Sequence, residues 1–261
     1  MRSDPVRAWG PTARLISERL WRRRQLTDPA LDACRRLALP GSTAVDVGAE
    51  SGLYSLALRN AVGRHGHVVS FEPNPKSFEE LTHRTWATGI DRRQVAVSTT
   101  PGHATLHLPP GAMQQSSLAG LGSLASEVHE RARSEDLATH MVRTVTLDSL
   151  LDEPVPPPSL IKIDVEGWER EVLLGAQQLI GEHHPTLVVE IESRHLRRRG
   201  IDSHDLVESV IALGYSATAL SSRGLISWSD FSFERHQADR SLAANAPDPY
   251  VHNFLFTTNA K

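Results

Sequence analysis

Acidic residues stand at the ends of two predicted strands, where they could transfer a proton or bind a cation. Asp164 and Glu166 close a buried strand predicted from residue 160, and Glu190 ends another predicted over residues 185–192. Because the carboxyl ends of parallel strands meet at one edge of a sheet, we expect these carboxylates to lie close together. Carboxylate oxygens are the ligands that magnesium prefers. One interpretation is therefore a magnesium site formed by Asp164, Glu166 and Glu190.

A second interpretation makes Asp164 a general base instead of a metal ligand. Side chains on a strand repeat every second residue, so Lys162 is expected on the same face as Asp164. Lys162 or His195 could then assist the proton transfer. Simpler interpretations stay open, because Asp164 and Glu166 could cap the following helix. His195 could equally be a surface residue in the charged run 195–199.

A glycine turn earlier in the chain has the form of a ligand-binding loop. Residues 44–47 are typical of a buried strand, Gly48 and Gly52 break it, and helical spacing begins at Leu53. Such a turn allows close approach of the backbone to a ligand, and the helix start offers free N–H groups. Glu72 follows the next strand, about twenty residues past the turn, where doubly wound folds place an acid for ribose hydroxyls. A nucleoside-containing ligand is therefore predicted.

Length, charge and cysteine content limit the classes of protein that fit. The 261 residues suit one large domain or one domain with a short appendage, and strands alternate with helices as in α/β proteins. The formal net charge of −3 argues against a general nucleic-acid binder. The single cysteine, Cys34, fits a reducing cytosol, and the lysine shortage is typical of GC-rich bacterial genomes. No long apolar run or signal peptide is evident, so we expect a cytoplasmic protein without a membrane span.

Two segments depart from the α/β alternation. Residues 1–40 are predicted to form a helical cap, and residues 41–261 the main domain. Residues 109–142 interrupt that domain with a loop of small residues and a helix predicted over 127–141. Because a long insertion in a compact domain is more often functional than idle, we interpret it as a lid, with a disordered surface loop as the alternative. His140 on this segment is a weaker candidate for proton transfer.

Seven motifs occur in order within residues 42–258: DVGAESGLYS, FEPNP, VAVS, TLDSLL, IKIDVEGWEREVLLGA, VVEIE and HNFLF. Together they resemble the FkbM family of S-adenosylmethionine (SAM)-dependent O-methyltransferases. The most specific part runs from Lys162 to Ala176, whereas the first motif is shared by many methyltransferases. Glu50 departs from the family, which usually has Asn there, and this carboxylate could change contacts at the amino-acid end of the cofactor.

The resemblance implies a fold and a cofactor site. The fold would be that of class I methyltransferases: α/β, with a Rossmann-like, mostly parallel seven-stranded sheet of order 3-2-1-4-5-7-6 and helices on both faces. SAM would lie at the carboxyl ends of the early strands, with its ribose on Glu72. The other residues implied are Asp46, Gly48, Ala49 and Gly52 for the methionine portion, with Glu50 beside them, and Pro73, Asn74 and Ser98 for the adenine.

The activity implied is methyl transfer from SAM to a hydroxyl group. Members of the family modify sugars, glycolipids and polyketide-type products. The polar insertion and the aromatic content of only 5% favour a sugar of an oligosaccharide or glycolipid, because a flat aromatic acceptor is better served by aromatic walls. The alternatives are a secondary-metabolite hydroxyl, a nucleotide-dependent oxidoreductase or a non-catalytic subunit. Magnesium is optional, by analogy with catechol-type O-methyltransferases, and a homodimer would be common for such an enzyme.

Overall fold

The computed structural model describes residues 28–108, 117–119, 138–238 and 249–258. The α-helices in these ranges are α1 (Pro29–Leu37), α2 (Leu53–Val62), α3 (Pro75–Arg84), α4 (Glu169–Leu174), α5 (Gln177–His183), α6 (Ser193–Arg197), α7 (Ser203–Ile211) and α8 (Phe233–His236). The strands are β1 (Thr43–Val47), β2 (His67–Phe71), β3 (Asp91–Arg93), β4 (Ala96–Val97), β5 (Gly102–Leu108), β6 (Ser117–Ala119), β7 (Ala138–Val145), β8 (Pro158–Ile163), β9 (Thr186–Glu190), β10 (Tyr215–Ser221), β11 (Gly224–Ser227) and β12 (Asn253–Thr258).

Eight strands form the central sheet, in the order β11-β10-β12-β9-β8-β1-β2-β3. The strands from β9 to β3 run parallel, whereas β12 is antiparallel to both of its neighbours and β11 closes a hairpin with β10. The predicted α/β class with a mostly parallel sheet is confirmed. The predicted count of seven is wrong, because β11 adds a strand at one edge. With β11 set aside and β8, β9, β10 and β12 counted as fourth to seventh, the order follows 3-2-1-4-5-7-6.

Helices cover both faces of this sheet, which explains why its central strands carry apolar residues without alternation. On one face Val45 and Ile161 pack into a cluster with residues of α4, α5 and α7. On the other face Ala44 and Leu160 pack with residues of α1 and α2, among them Cys34. All five residues of β1 are buried, so this strand lies at the centre of the core.

A second, four-stranded sheet of order β4-β7-β5-β6 was not predicted. The single strand predicted over residues 93–98 is divided between the two sheets, with β3 in the first and β4 in the second. Part of the predicted lid also belongs to the second sheet, namely β6 and the start of β7. The helix predicted over 127–141 is therefore wrong for residues 138–141, while residues 127–137 lie outside the described part of the chain.

The helix predicted from Trp168 to Ile180 is two helices, α4 and α5. The break lies at Gly175, where a Cβ atom would stand 2.1 Å from the carbonyl oxygen of Ser98. Asp148 holds both sides of the break: its N–H donates to the Gly175 carbonyl at 2.9 Å, and its carboxylate accepts from the Leu179 N–H at 2.9 Å. Gly175 thus permits close contact between this helix pair and Ser98, the residue that follows β4.

The predicted N-terminal cap falls mostly outside the described residues. Within residues 28–40, α1 begins at Asp28, whose carboxylate accepts hydrogen bonds from the N–H groups of Ala30 and Leu31. Ala30, Leu31 and Cys34 are fully buried against the sheet, so α1 packs as part of the core. A domain boundary at residue 40 stays a prediction. No helix in the described ranges is both long enough and apolar enough to cross a bilayer.

Candidate active site

A cavity of about 560 Å³ opens at the edge of the central sheet where the parallel strands end. Its walls come from the carboxyl ends of β1, β2, β8 and β9 and from the start of the antiparallel strand β12. In open α/β sheets, ligands bind at this edge. The predicted site residues that line the cavity are Gly48, Ala49, Glu50, Glu72, Pro73, Asp164, Glu166, Glu190 and His195.

The glycine turn after β1 is held between the two neighbouring strands. The N–H groups of Gly48 and Ala49 both donate to the Phe71 carbonyl at 3.0 Å. Gly48 has a φ of +81°, and a Cβ atom there would stand 1.7 Å from the Asp164 carbonyl oxygen. Only glycine therefore fits, since any side chain would push the turn away from the end of β8.

Gly52 lies beside helix α3, whereas the resemblance implies a place beside the methionine portion of the cofactor. Its φ of +89° begins α2, and a Cβ atom would meet Leu81 at 2.8 Å and Thr85 at 3.1 Å. This glycine lets α2 start close to α3 and does not line the cavity. Its place in the methionine site stays a prediction.

Asp46 lies beneath the turn, 1% exposed, and does not line the cavity. Its Oδ2 accepts a hydrogen bond of 2.5 Å from the Ser55 hydroxyl, which in turn accepts from Ser70 at 2.8 Å. Among the described residues, Oδ1 of Asp46 has no hydrogen-bond partner. Burial raises the pKa of Asp46 to about 6, against the opposing effect of Ser55. A buried acceptor with an unmatched oxygen beside a glycine turn fits the implied role toward a cationic ligand group.

Glu72 lies at the end of β2 and orders the loops on both sides of it. Its two carboxylate oxygens accept from the N–H groups of Glu50 and Asn74, each at 2.8 Å. Asn74 then caps α3 by accepting from the Lys76 N–H at 3.0 Å. Burial raises the pKa of Glu72 to about 7, although these two hydrogen bonds oppose the shift. Each carboxylate oxygen retains a lone pair, so Glu72 can still accept from ligand hydroxyls.

The adenine residues implied by the resemblance are only partly at the cavity surface. Pro73 lines it, whereas Asn74 and Ser98 are buried and do not. The Ser98 hydroxyl accepts from the Trp168 indole N–H at 3.4 Å, so it supports the helix pair. The surface at this end of the cavity is apolar and is lined by Phe71, Val95, Ala96, Val97 and Leu106. Such a surface suits a flat base.

Asp164, which follows β8, lines the middle of the cavity, and Lys162 lies behind it without reaching the cavity surface. The Lys162 side chain is fully buried, and its ammonium nitrogen lies 3.4 Å from Asp164 Oδ2 and 3.4 Å from Asn253 Oδ1. It also lies 4.9 Å from the centre of the Tyr54 ring. Burial lowers the pKa of Lys162, but the nearby carboxylates Asp164 and Glu190 outweigh burial and raise it overall. The lysine is therefore a permanent cation behind the Asp164 carboxylate.

Two residues near Lys162, Tyr54 and Asn253, were not predicted as part of the site. The Tyr54 hydroxyl donates to Asp28 Oδ2 at 2.7 Å, which links the start of α1 to the Lys162 environment. Tyr54 shows only helical apolar spacing in the sequence, and Asn253 is far from Lys162 along the chain. Neither residue therefore gave a local signal of its role.

Three glutamates surround Asp164. Burial, followed by repulsion from Asp164, raises the pKa of Glu166 to about 8. The same two causes raise the pKa of Glu190 well above its usual range. Glu192 is 5% exposed and forms an ion pair with Arg194. Glu166 and Glu190 are therefore protonated more readily than ordinary glutamates.

The structure does not support the predicted magnesium site of Asp164, Glu166 and Glu190. In the described ranges no three acid, histidine or cysteine side chains come together as a metal site. Asp164 already has a cation beside it, the Lys162 ammonium. A close, fully ionised carboxylate set, which magnesium needs, is thus not formed by these residues.

Two histidines line the cavity, one of them unpredicted. His195 Nε2 lies 3.7 Å from Glu192 Oε2, and burial lowers the pKa of His195. His252, at the start of β12, has its Nε2 3.9 Å from Glu190 Oε2, and burial lowers the pKa of His252 as well. The weaker candidate His140 is exposed on β7 and does not line the cavity. Both cavity histidines are therefore neutral near pH 7, and either could accept a proton.

Comparison with known proteins agrees with the fold described above. The fold is shared with a solved FkbM methyltransferase from Methylobacillus flagellatus, at a TM-score of 0.50 and 18% identity over 84% of this chain. The match covers 44% of that solved chain, so the present chain spans less than half of its length. Among curated proteins, the hexuronic acid methyltransferase AglP of Haloferax volcanii is 27% identical over 198 residues, or 73% of this chain and 71% of AglP.

The fold is that of class I methyltransferases. The profile of the methyltransferase FkbM domain matches residues 46–217, so the chain belongs to the FkbM methyltransferase family. The family and the methyltransferase class predicted from the sequence are thereby confirmed. A bacterial source stays a prediction, as does the cytoplasmic location.

Proposed function

We propose that this methyltransferase binds SAM in the cavity and transfers its methyl group to a hydroxyl of a sugar, in an oligosaccharide or a glycolipid. One observation carries the proposal. A single cavity contains the glycine turn with Glu72 at one end and Asp164 at its centre, and the buried Lys162 ammonium lies 3.4 Å behind the Asp164 carboxylate. The relative AglP is a hexuronic acid methyltransferase, which supports a sugar acceptor.

The cofactor would lie along the ends of β1 and β2. Glu72 would accept hydrogen bonds from the ribose hydroxyls, and the apolar surface with Phe71 and Pro73 would contact the adenine. The turn at Gly48 and Ala49 would hold the methionine portion, with the Asp46 carboxylate beneath it. Glu50 faces the same part of the cavity, where its carboxylate suits an ammonium group.

SAM supplies an electrophilic methyl group on a positively charged sulfur. The acceptor oxygen forms the new C–O bond as the C–S bond breaks, and the electron pair of that bond leaves with the sulfur. One proton must leave the hydroxyl, and Asp164 at the centre of the cavity would accept it, with His195 as the assisting residue. Lys162 would hold the Asp164 carboxylate in position from behind. Positioning supplies a large part of the rate enhancement in such a transfer.

We propose a metal-free transfer, because no three acid, histidine or cysteine side chains come together as a metal site in the described ranges. The test is methyl transfer from labelled SAM to a panel of saccharides, glycolipid head groups and phenols, with either magnesium or a chelator. We expect transfer to a saccharide that changes less than about twofold in chelator and falls about 100-fold or more in Asp164→Asn. Transfer to phenols alone would refute the sugar acceptor, and activity lost in chelator and restored by magnesium would refute the metal-free step.

SAM binding is tested separately by isothermal titration calorimetry. Glu80→Gln, on the surface of α3 at a weak ion pair of 3.8 Å with Arg84, is a matched control for changes of a cavity acid. A protein that binds NAD but not SAM would refute the methyltransferase proposal.

A homodimer and the absence of nucleic-acid partners stay predictions.

A further inference from the structure

The order of strands distinguishes two ends of the cavity. Glu72 after β2 marks the cofactor end, and the turn after β1 and Asp164 after β8 lie in the middle. The opposite end is formed by β9, β12 and β10, beyond Asp164. If the cofactor occupies the first end, the acceptor must approach the methyl group from the second.

Tyr250 is part of the wall at this second end. Its half-buried ring lies 5.7 Å from the ring of His252, centre to centre, at an interplanar angle of 43°. His252 is fixed in turn, since its carbonyl accepts from the Ile191 N–H at 2.7 Å. The next residue, Asn253, pairs with Glu190 across β12 and β9. Tyr250 therefore stands three residues before β12, in a segment that is anchored to the end of β9 through His252 and Asn253.

The groups around Tyr250 match the two kinds of surface that a pyranose ring presents. One face of such a ring carries C–H bonds, which are attracted to the electron-rich face of an aromatic ring. Its rim carries hydroxyls, which donate to carboxylates and to serine. Glu190, Glu192 and Ser222 line the same end of the cavity as Tyr250.

We propose that Tyr250 is the platform on which the sugar ring of the acceptor lies, with its hydroxyls directed toward Glu190 and Glu192. This inference rests on the proposed function, since it assigns the subsite for the same acceptor. It makes Tyr250 a determinant of acceptor binding and gives it no part in the transfer of the proton or in SAM binding.

The test compares three substitutions of Tyr250 in the full-length protein. Tyr250→Ala is expected to raise KM for the saccharide about tenfold, with kcat within about threefold and SAM affinity unchanged. Tyr250→Phe and Tyr250→Trp keep an aromatic face and are expected to restore KM to within about threefold of the wild type. Trp86→Ala is the control, because Trp86 is 76% exposed and does not line the cavity.

Direct binding gives a second readout. Saturation-transfer NMR of a methyl pyranoside with the protein loaded with S-adenosylhomocysteine should show the strongest transfer to protons on one face of the sugar. This pattern should vanish in Tyr250→Ala and persist in Tyr250→Phe.

The outcomes separate this inference from the proposed function. Sugar methylation whose KM is unchanged in Tyr250→Ala would overturn the inference alone. A decrease in SAM affinity in that variant would overturn it too, by placing Tyr250 at the cofactor. Wild-type protein that methylates only phenols, or binds no saccharide, would overturn the sugar acceptor and the inference together.

Discussion

Replacing Gly48 by alanine tests whether the turn after β1 must contact the end of β8. The structure offers a matched control, because Gly41 has the same φ of +81° but no heavy atom within 4 Å of a built Cβ. Both substitutions carry the backbone strain of a left-handed alanine, about 1–2 kcal/mol. Only the one at Gly48 adds a clash, with the Asp164 carbonyl oxygen 1.7 Å from the new atom.

The size of the effect follows from that clash. Ordinary contact begins near 3.4 Å, so the turn and the end of β8 must separate by about 1.7 Å. The two loops are joined by the hydrogen bond from the Asp164 N–H to the Val47 carbonyl at 2.9 Å, and this movement would break it. Overpacking and strain together should lower the free energy of unfolding by about 2–5 kcal/mol. A displacement of this size at the reacting groups should lower kcat/KM about 100-fold or more.

The assay pairs urea denaturation with methyl transfer from labelled SAM for the wild type, Gly48→Ala and Gly41→Ala. Gly41→Ala should lose at most about 2 kcal/mol of stability and keep its kcat/KM, because its strain is remote from the cavity. Calorimetry with SAM shows whether the Gly48 variant still binds the cofactor. If the two variants lose the same stability and both remain active, the contact between the turn and β8 is not needed and the reasoning is refuted.

Three further predictions concern the charged groups of the site. Glu72→Gln should weaken SAM binding about tenfold or more by calorimetry, because a neutral amide accepts more weakly than the carboxylate; an unchanged Kd would contradict the ribose role. Lys162→Met should lower kcat about 100-fold or more in the transfer assay, because it leaves the half-buried Asp164 carboxylate without its cation, and near-normal activity would show that the cation is dispensable. Burial raises the pKa of Glu72 to about 7 and that of Glu166 to about 8. The contribution of these two carboxyl groups to the free energy of unfolding is therefore full below pH 4.5 and is lost as the pH rises through those pKa values. Between pH 7 and about 8.5 the Tm should therefore fall, less so in Glu166→Gln, and a Tm that rises over this range in differential scanning fluorimetry would refute the assignment.

Much of the fold was predictable because its central strands leave strong local signals. β1 and β8 are mostly apolar on both faces, with Asp46 and Lys162 as exceptions, and each is followed by a glycine or an acid; such segments indicate strands buried on both faces. Alternation along β8 correctly placed Lys162 beside Asp164, since strand geometry alone fixes that relation. The glycine turn was equally predictable, because glycine is favoured where the backbone needs a positive φ. Both Gly48 and Gly52 have a positive φ in the structure.

The missed features depend on contacts between distant parts of the chain. The break in the helix predicted over 168–180 comes from the Ser98 carbonyl, which helical periodicity cannot report. The magnesium prediction assumed that Asp164 was available to bind a metal. In the structure the Lys162 ammonium, predicted on the same strand face, already lies beside it. Tyr250 and His252 reach the cavity only because β12 is inserted between β9 and β10. The strand order implied by the resemblance contains this insertion, but it does not show which side chains before β12 line the cavity.

The two main motifs of the chain act as one structural unit. The turn after β1 and the loop after β8 each contain a non-glycine residue in the left-handed region, Glu50 and Glu166, both with a φ of +49°. Such conformations are costly for residues with a Cβ atom and persist only where the surroundings fix them. Here the Glu50 N–H donates to Glu72, and both glutamates line the cavity. The contact of Gly48 with Asp164 joins the two loops, so a change in either loop should alter the geometry of both cofactor and acceptor ends.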